Sequence, residues 1–205
     1  MMPILILAAG SSVRMRGADK LLQDVDGMPL IRRQALMALD VSRDVRIALP
    51  PRPHPRYDAV QDLSVALVDV ADAAEGMNAS LRALFATLGG DVTHAMVLLA
   101  DLPDITADDL RQLITASKTH PKALIWRGTT PDGTGGHPMI FAAPLFGAFQ
   151  QLSGDGGGQA IVARAGHAVH RVPFADDRAR RDLDTPEDWA AWRAERARRT
   201  IPERR

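Results

Sequence analysis

The sequence predicts a single α/β layer domain, and three observations carry that prediction. Short runs rich in Val, Ile and Leu alternate with longer amphipathic runs, the pattern that strands and helices leave when they pack in layers. At 205 residues the chain is long enough to bury one sizeable core without a disulfide or a structural metal. Glycine- and proline-dense stretches punctuate the runs, as connections at the ends of a sheet require.

The first strand is read over residues 3–8, an apolar run with no basic segment before it and far too short to cross a bilayer. Pro29 then suits a first helical turn, with Ile31, Ala35, Ala38 and Leu39 at helical spacing behind it. A second strand over 45–49 runs into PPRPHP at 50–55, which reads as an extended surface loop because proline fixes φ and disfavours helix before it. Residues 64–69 form a third strand. A helix over 78–88 puts Leu81, Leu84, Phe85 and Leu88 on one face.

The strand over 94–100 precedes a helix that begins at Thr106, capped by Asp109 and buried through Leu110, Leu113 and Ile114. Strands follow over 122–127 and 167–172. The glycine-dense segments 128–136 and 153–158 read as mobile loops over a cleft. Thr185-Pro186 opens a last helix, whose Trp189 and Trp192 suit core packing. The arginine-rich end has little apolar content, so the domain is expected over 1–192 with a fraying tail over 193–205.

Composition excludes several function classes. With 25 Lys+Arg against 25 Asp+Glu there is no global basic field to hold nucleic acid or an anionic membrane, so phosphate recognition has to be local. The absence of cysteine excludes a thiolate nucleophile and any cysteine-ligated metal, and fits the cytoplasm. No stretch approaches the roughly 20 apolar residues of a membrane span.

Three constellations carry chemistry. The first is LAAGSSVRMRGADKLL, residues 7–22, directly after the first strand. Ala8, Ala9 and Gly10 let a ligand lie against the backbone, Ser11 and Ser12 add donors, and Arg14 and Lys20 add cations; a triphosphate needs both kinds of group. A P-loop would need Gly-Lys-Ser/Thr, but Asp19 and Leu21 flank Lys20, and no glycine follows Gly10 at the dinucleotide spacing.

The second is VLLADLPDIT, where a strand delivers Asp101 at its carboxyl end, the usual ligand position of open α/β sheets. That carboxylate suits magnesium, and a turn aspartate is the plainer reading of the same residue; for Asp104 a structural role is preferred. The third is RRDLDTPED, in which Asp182 and Asp184 alternate along an extended segment, so either can complete a metal site or serve the helix dipole. Two weaker signals are Gly76 and Ser80 in EGMNASLRA, ahead of and within a helix, and His137 in GGHPMIF before an apolar strand.

Taken in order, LAAGxSxRM…KLL, GMxxSLRA, ADLP, GHPMIF, GDGGGQ and DxDTPED resemble the molybdenum cofactor cytidylyltransferases and their MobA-like guanylyltransferase relatives. The resemblance implies a single three-layer, Rossmann-like nucleotidyltransferase domain with a mostly parallel sheet. Its implied reaction joins CTP, or GTP in the relatives, to the terminal phosphate of molybdopterin cofactor with release of pyrophosphate, followed by hand-over to a molybdoenzyme or its chaperone.

By position, Leu7, Ala8, Ala9, Gly10 and Ser11 would lie against the nucleotide, Arg14 and Lys20 would bind its phosphates, and Gly76 and Ser80 would contact the base or ribose region. Asp101 and Asp184 would hold Mg2+, with Asp182 in support, and Arg14, Lys20 and Asp101 would form the catalytic set. His137, Pro138 and the 154–159 loop, with Asp155 and Gly157, would face the acceptor.

Ala9 matches the cytidylyl form LAAG and not the guanylyl LAGG, which points to CTP. Arg16 is an insertion relative to the shorter family loop, and Gln159 stands where the family often has Arg. Other readings are a guanylyl- or sugar-1-phosphate nucleotidyltransferase and a non-catalytic protein that holds and delivers the cofactor.

Overall fold

The computed structural model describes residues 1–154 and 156–200. In chain order the elements are β1 (Ile4–Leu7), the hairpin strands β2 (Asp24–Val25) and β3 (Met28–Pro29), α1 (Leu30–Leu39), β4 (Val45–Leu49), β5 (Ala66–Asp69), α2 (Met77–Ala86), β6 (His94–Leu99) and α3 (Ala107–Thr119). They continue with β7 (Ile125–Thr129), β8 (Gly135–Ala142), α4 (Phe146–Phe149), α5 (Gln159–Ala165), β9 (Val169–Pro173) and α6 (Pro186–Thr200). Every strand read from the sequence is present, and the short hairpin is an addition to that reading.

Seven strands form one sheet in the order β5-β4-β1-β6-β8-β7-β9. β8 alone runs antiparallel, pairing Val97 with Met139 on one side and Arg127 with Met139 on the other. β1 sits at the centre, with Ile4 opposite both Val45 and Met96. Its four residues are all buried, which explains their continuous apolar run: a central parallel strand is covered on both faces.

Helices cover the two faces. Leu30, Ile31, Ala35 and Ala38 of α1, Leu110 and Leu113 of α3, and both tryptophans of α6 pack on one side against Ile4, Ile6, Met96 and Leu98. Leu81, Leu84 and Phe85 of α2, Phe149 of α4 and Ile161 of α5 pack on the other against Leu5, Leu7, Val97 and Phe141. No helix among the described residues is long and apolar enough to cross a membrane.

The Thr106 capping box closes as its spacing predicts, with the Asp109 amide donating to Thr106 and the Thr106 amide donating to Asp109. One loop reading, 128–136, changes at both of its ends. Gly128 and Thr129 belong to β7 and Gly135 and Gly136 to β8, and Gly136 serves close packing: a Cβ there would stand 2.1 Å from the Ala179 carbonyl oxygen.

The expected fraying over 193–200 is replaced by helix, because Ala, Arg and Glu favour it and the side chains find partners. The Arg193 and Arg196 guanidiniums lie 5.1 and 4.8 Å from the Trp189 and Trp192 rings, and Arg196 pairs with Asp26 at 2.9 Å. Residues 201–205 of the expected tail lie outside the described residues.

Candidate active site

The chain leaves β1 to one side of the sheet through β4 and β5 and returns to the other through β6, so a crevice opens at the carboxyl ends of β1 and β6. A cavity of about 460 Å³ occupies it, lined by residues that include Leu7 to Arg14, Lys20, Gly76, Ser80, Asp101 and Asp184. Three sequence constellations separated by up to 164 residues therefore meet at one place.

Local structure explains how each side chain arrives. After β1, Ser12 takes a left-handed conformation (φ 53°) and starts a single tight turn, Val13–Met15, whose Met15 is buried as an anchor. Arg14 points out of that turn. Asp19 accepts a hydrogen bond from the Leu21 amide at 2.9 Å and so caps the next turn, which carries Lys20 inward. Asp101 follows the end of β6, and the Leu183 amide donates to its carbonyl at 3.3 Å, tying the 180s segment to this edge. Asp188 then caps α6 by accepting from the Asp184 and Thr185 amides, which holds Asp184 in place.

The charged groups form a compact web. The Lys20 ammonium lies 2.6 Å from Asp101 Oδ2 and 2.7 Å from Asp184 Oδ1, and Arg14 reaches Asp184 Oδ2 at 2.6 Å. Burial alone would lower the Lys20 pKa, but the two carboxylates outweigh it and raise it. Burial would raise Asp184, yet Lys20 overrides that and holds it below the usual carboxylate range. Asp101 Oδ1 is buried with no hydrogen-bond partner. Asp182 does not line the cavity; partial desolvation and the neighbouring Asp184 carboxylate push its own carboxyl up.

Asp104 accepts from the Trp192 indole at 2.9 Å, a packing role. Arg16, the inserted residue, takes a left-handed conformation and pairs with Glu187 at 2.6 Å, so it pins the loop to α6.

A family model described as a MobA-like NTP transferase domain matches residues 4–170. The chain belongs to that family. It is accordingly a nucleotidyltransferase, with a nucleoside triphosphate as substrate.

Solved structures agree on the fold of this MobA-like transferase. A Rv0371c homologue from Mycobacterium sp. strain JC1 is 25% identical, with 96% of this chain and 97% of that one aligned at a TM-score of 0.82. Rv0371c from Mycobacterium tuberculosis H37Rv is 25% identical over 93% of this chain and 96% of its own, at 0.79. A CMP:2-keto-3-deoxy-manno-octonic acid synthetase complexed with CTP is 17% identical over 97% and 100%, at 0.74. No curated protein is significantly similar in sequence.

Of the residues expected to face the acceptor, the described His137, Pro138 and Gly157 are not part of the cavity lining. His137 and Pro138 begin β8, whose antiparallel course brings them to the same sheet edge as Asp101. Burial and the Arg127 guanidinium push His137 down to about 4, so it is neutral at pH 7. Arg127 donates to the Gly135 and Gly136 carbonyls, both at 3.1 Å, and has no carboxylate partner among the described residues. Gly157 packs against Met77, where a Cβ would stand 2.8 Å from its sulfur. Asp155 lies outside the described residues.

One residue of the site has no signal in the sequence. Arg56, just past the proline-rich loop, is 1% exposed and joins Ala8, Ser12 and Asp19 of the loop after β1. Nothing in a lone arginine after PPRPHP marks it as anything but a surface cation.

Proposed function

We propose that this transferase is a CTP:molybdopterin cofactor cytidylyltransferase working with Mg2+. The observation that carries the reading is the meeting of Arg14 and Lys20 with Asp101 and Asp184 in a cavity floored by Ala8 and Ala9. Amides that a ligand can approach closely, two cations and two carboxylates are the groups that nucleotidyl transfer asks for.

The residues fit a magnesium ion. Its preferred donors are hard oxygens, and Asp101 keeps a buried oxygen with no partner, while the Lys20 ammonium already stands where two carboxylates call for a cation. No group of three or more His, Cys, Asp or Glu is assembled for a metal among the described residues, which leaves the other positions to phosphate oxygens and water. When bound, the ion would neutralise charge on the phosphate oxygens around the reacting centre.

In the proposed reaction Lys20 turns from its carboxylates to the α-phosphate, and Arg14 forks the β- and γ-phosphates. An acceptor phosphate oxygen attacks the α-phosphorus, the bond to the bridging oxygen breaks, and pyrophosphate leaves with the electron pair. The acceptor phosphate is already an anion, so no general base is needed. Gly76 and Ser80, which line the same cavity, are suited to the base or ribose. On the acceptor side, Arg127 of β7 and His137 of β8 offer a cation and a neutral ring to a phosphorylated pterin.

Ala9, which lines the cavity, supports CTP over GTP, since the guanylyl relatives have glycine at this position. A sugar 1-phosphate acceptor is the rival reading, and Gln159, where the family often has arginine, leaves the acceptor side one phosphate-binding cation short of the family pattern. The deciding experiment is pyrophosphate release from CTP and magnesium with molybdopterin cofactor or with sugar 1-phosphates. Release with the cofactor is the expected result, and release only with a sugar phosphate overturns the acceptor. Tighter binding of GTP than CTP in direct titration overturns the base.

A further inference from the structure

We propose that Arg56 is a positioning residue for the triphosphate, acting through the loop between Leu7 and Lys20; this rests on the nucleotide reading of the cavity. Its guanidinium is 1% exposed and does not line the cavity, so it touches no ligand there. It does hold the loop at three points. Nη1 donates to the Ala8 carbonyl at 2.6 Å where the loop begins. Nη2 donates to Ser12 Oγ at 3.0 Å in the middle. Nε and Nη2 fork the Asp19 carboxylate at 2.7 and 2.8 Å where the loop ends.

Two of the three held points, Ser12 and Asp19, have work of their own. Ser12 is in a left-handed conformation, which costs a non-glycine residue about 1–2 kcal/mol and persists only where its surroundings enforce it. Its Oγ also accepts from the Lys20 amide at 3.3 Å. Asp19 caps the turn that carries Lys20. A single planar fork thus sets the backbone at both cation-bearing turns. Lysine, a point charge on a flexible stem, cannot reproduce that geometry.

Net stability is a poor reason to bury such a pair, because desolvating two charges cancels much of their attraction. Geometry is the better one. Arg56 comes from the segment after β4, the strand beside β1, so it ties the loop to that neighbouring connection from outside the cavity lining.

The test measures binding of CTP by calorimetry and of cytidine by NMR titration, for the wild type, Arg56→Lys, Asp19→Asn and the double variant. Cytidine carries the base and ribose but no phosphate. Each single variant is expected to weaken CTP roughly 10- to 100-fold, the scale of a displaced binding group, with cytidine changed less than about 2-fold. The double variant should be no weaker than the worse single one, because both act through one contact. Parallel losses of CTP and cytidine would mean that Arg56 only supports the fold, and unchanged CTP affinity in both variants would remove the role altogether. A wild type that binds CTP no better than cytidine would instead overturn the nucleotide reading itself.

Discussion

The two ends of the site are built on opposite electrostatic plans. At the carboxyl ends of β1 and β6, every charge has a counter-charge: Lys20 lies between Asp101 and Asp184, Arg14 on Asp184, and Arg56 on Asp19. On the next two strands, β8 and β7, charge is left uncompensated among the described residues. Arg127 is half-buried, has only backbone carbonyls as hydrogen-bond partners among the described residues, and is pushed below its ordinary pKa by burial and by Arg180 and Arg171 nearby. His137 beside it stays neutral. The paired end has to break internal contacts to admit a ligand, whereas the unpaired end can accept an anion without displacing anything.

The largest effect should come from the paired end. Replacing Asp101 by Ala is expected to cut kcat by at least about 10³-fold, the upper range for removing one preorganised charge-stabilising group. Thermal unfolding should stay close to wild type, since Lys20 keeps Asp184 as a partner. Near-wild-type turnover in this variant would mean that the metal site has been misplaced.

The unpaired end makes a prediction about acid. His137 takes up a proton less readily in the folded chain than in the unfolded one, so the unfolded state binds more protons between about pH 6.5 and 4. Stability should therefore fall as pH drops through that window, by roughly 3–4 kcal/mol when complete. His137→Asn should remove that part of the loss in denaturant melts at pH 7 and pH 4, and identical slopes for both proteins would show that His137 is not the group responsible. A smaller effect separates the two ends most directly. Arg127→Met should raise KM for the phosphorylated acceptor about 10-fold, a hydrogen-bonded charge contact's worth, with CTP affinity unchanged. Equal losses for both substrates would mean that the ends are not independent.

How much of this was legible depends on the distance over which each feature is decided. β1, β4 and β6 were readable because a strand buried on both faces is written as a continuous apolar run, and the Thr106 cap because its partner lies three residues away. The cations and carboxylates of the cavity were readable as residue types at the ends of such strands. Arg56 was not, because its partners lie 37 to 48 residues back and only the pairing of β4 beside β1 brings them together. The antiparallel course of β8 likewise has no local mark, and it is what carries His137 to the edge of the sheet where β6 ends. The helix through 193–200 was obscured for another reason: a run of arginines looks solvated until Trp189, Trp192 and Asp26 are set beside it.

The position of Lys20 between two carboxylates has a consequence for the order of events. A triphosphate arriving alone would draw Lys20 and Arg14 away and leave Asp101 and Asp184 facing each other as like charges. A divalent cation arriving alone would strand the two basic side chains instead. Only when both arrive do all partners find new ones, so occupancy of the site amounts to an exchange of ions, and the affinity for each visitor is tied to the presence of the other.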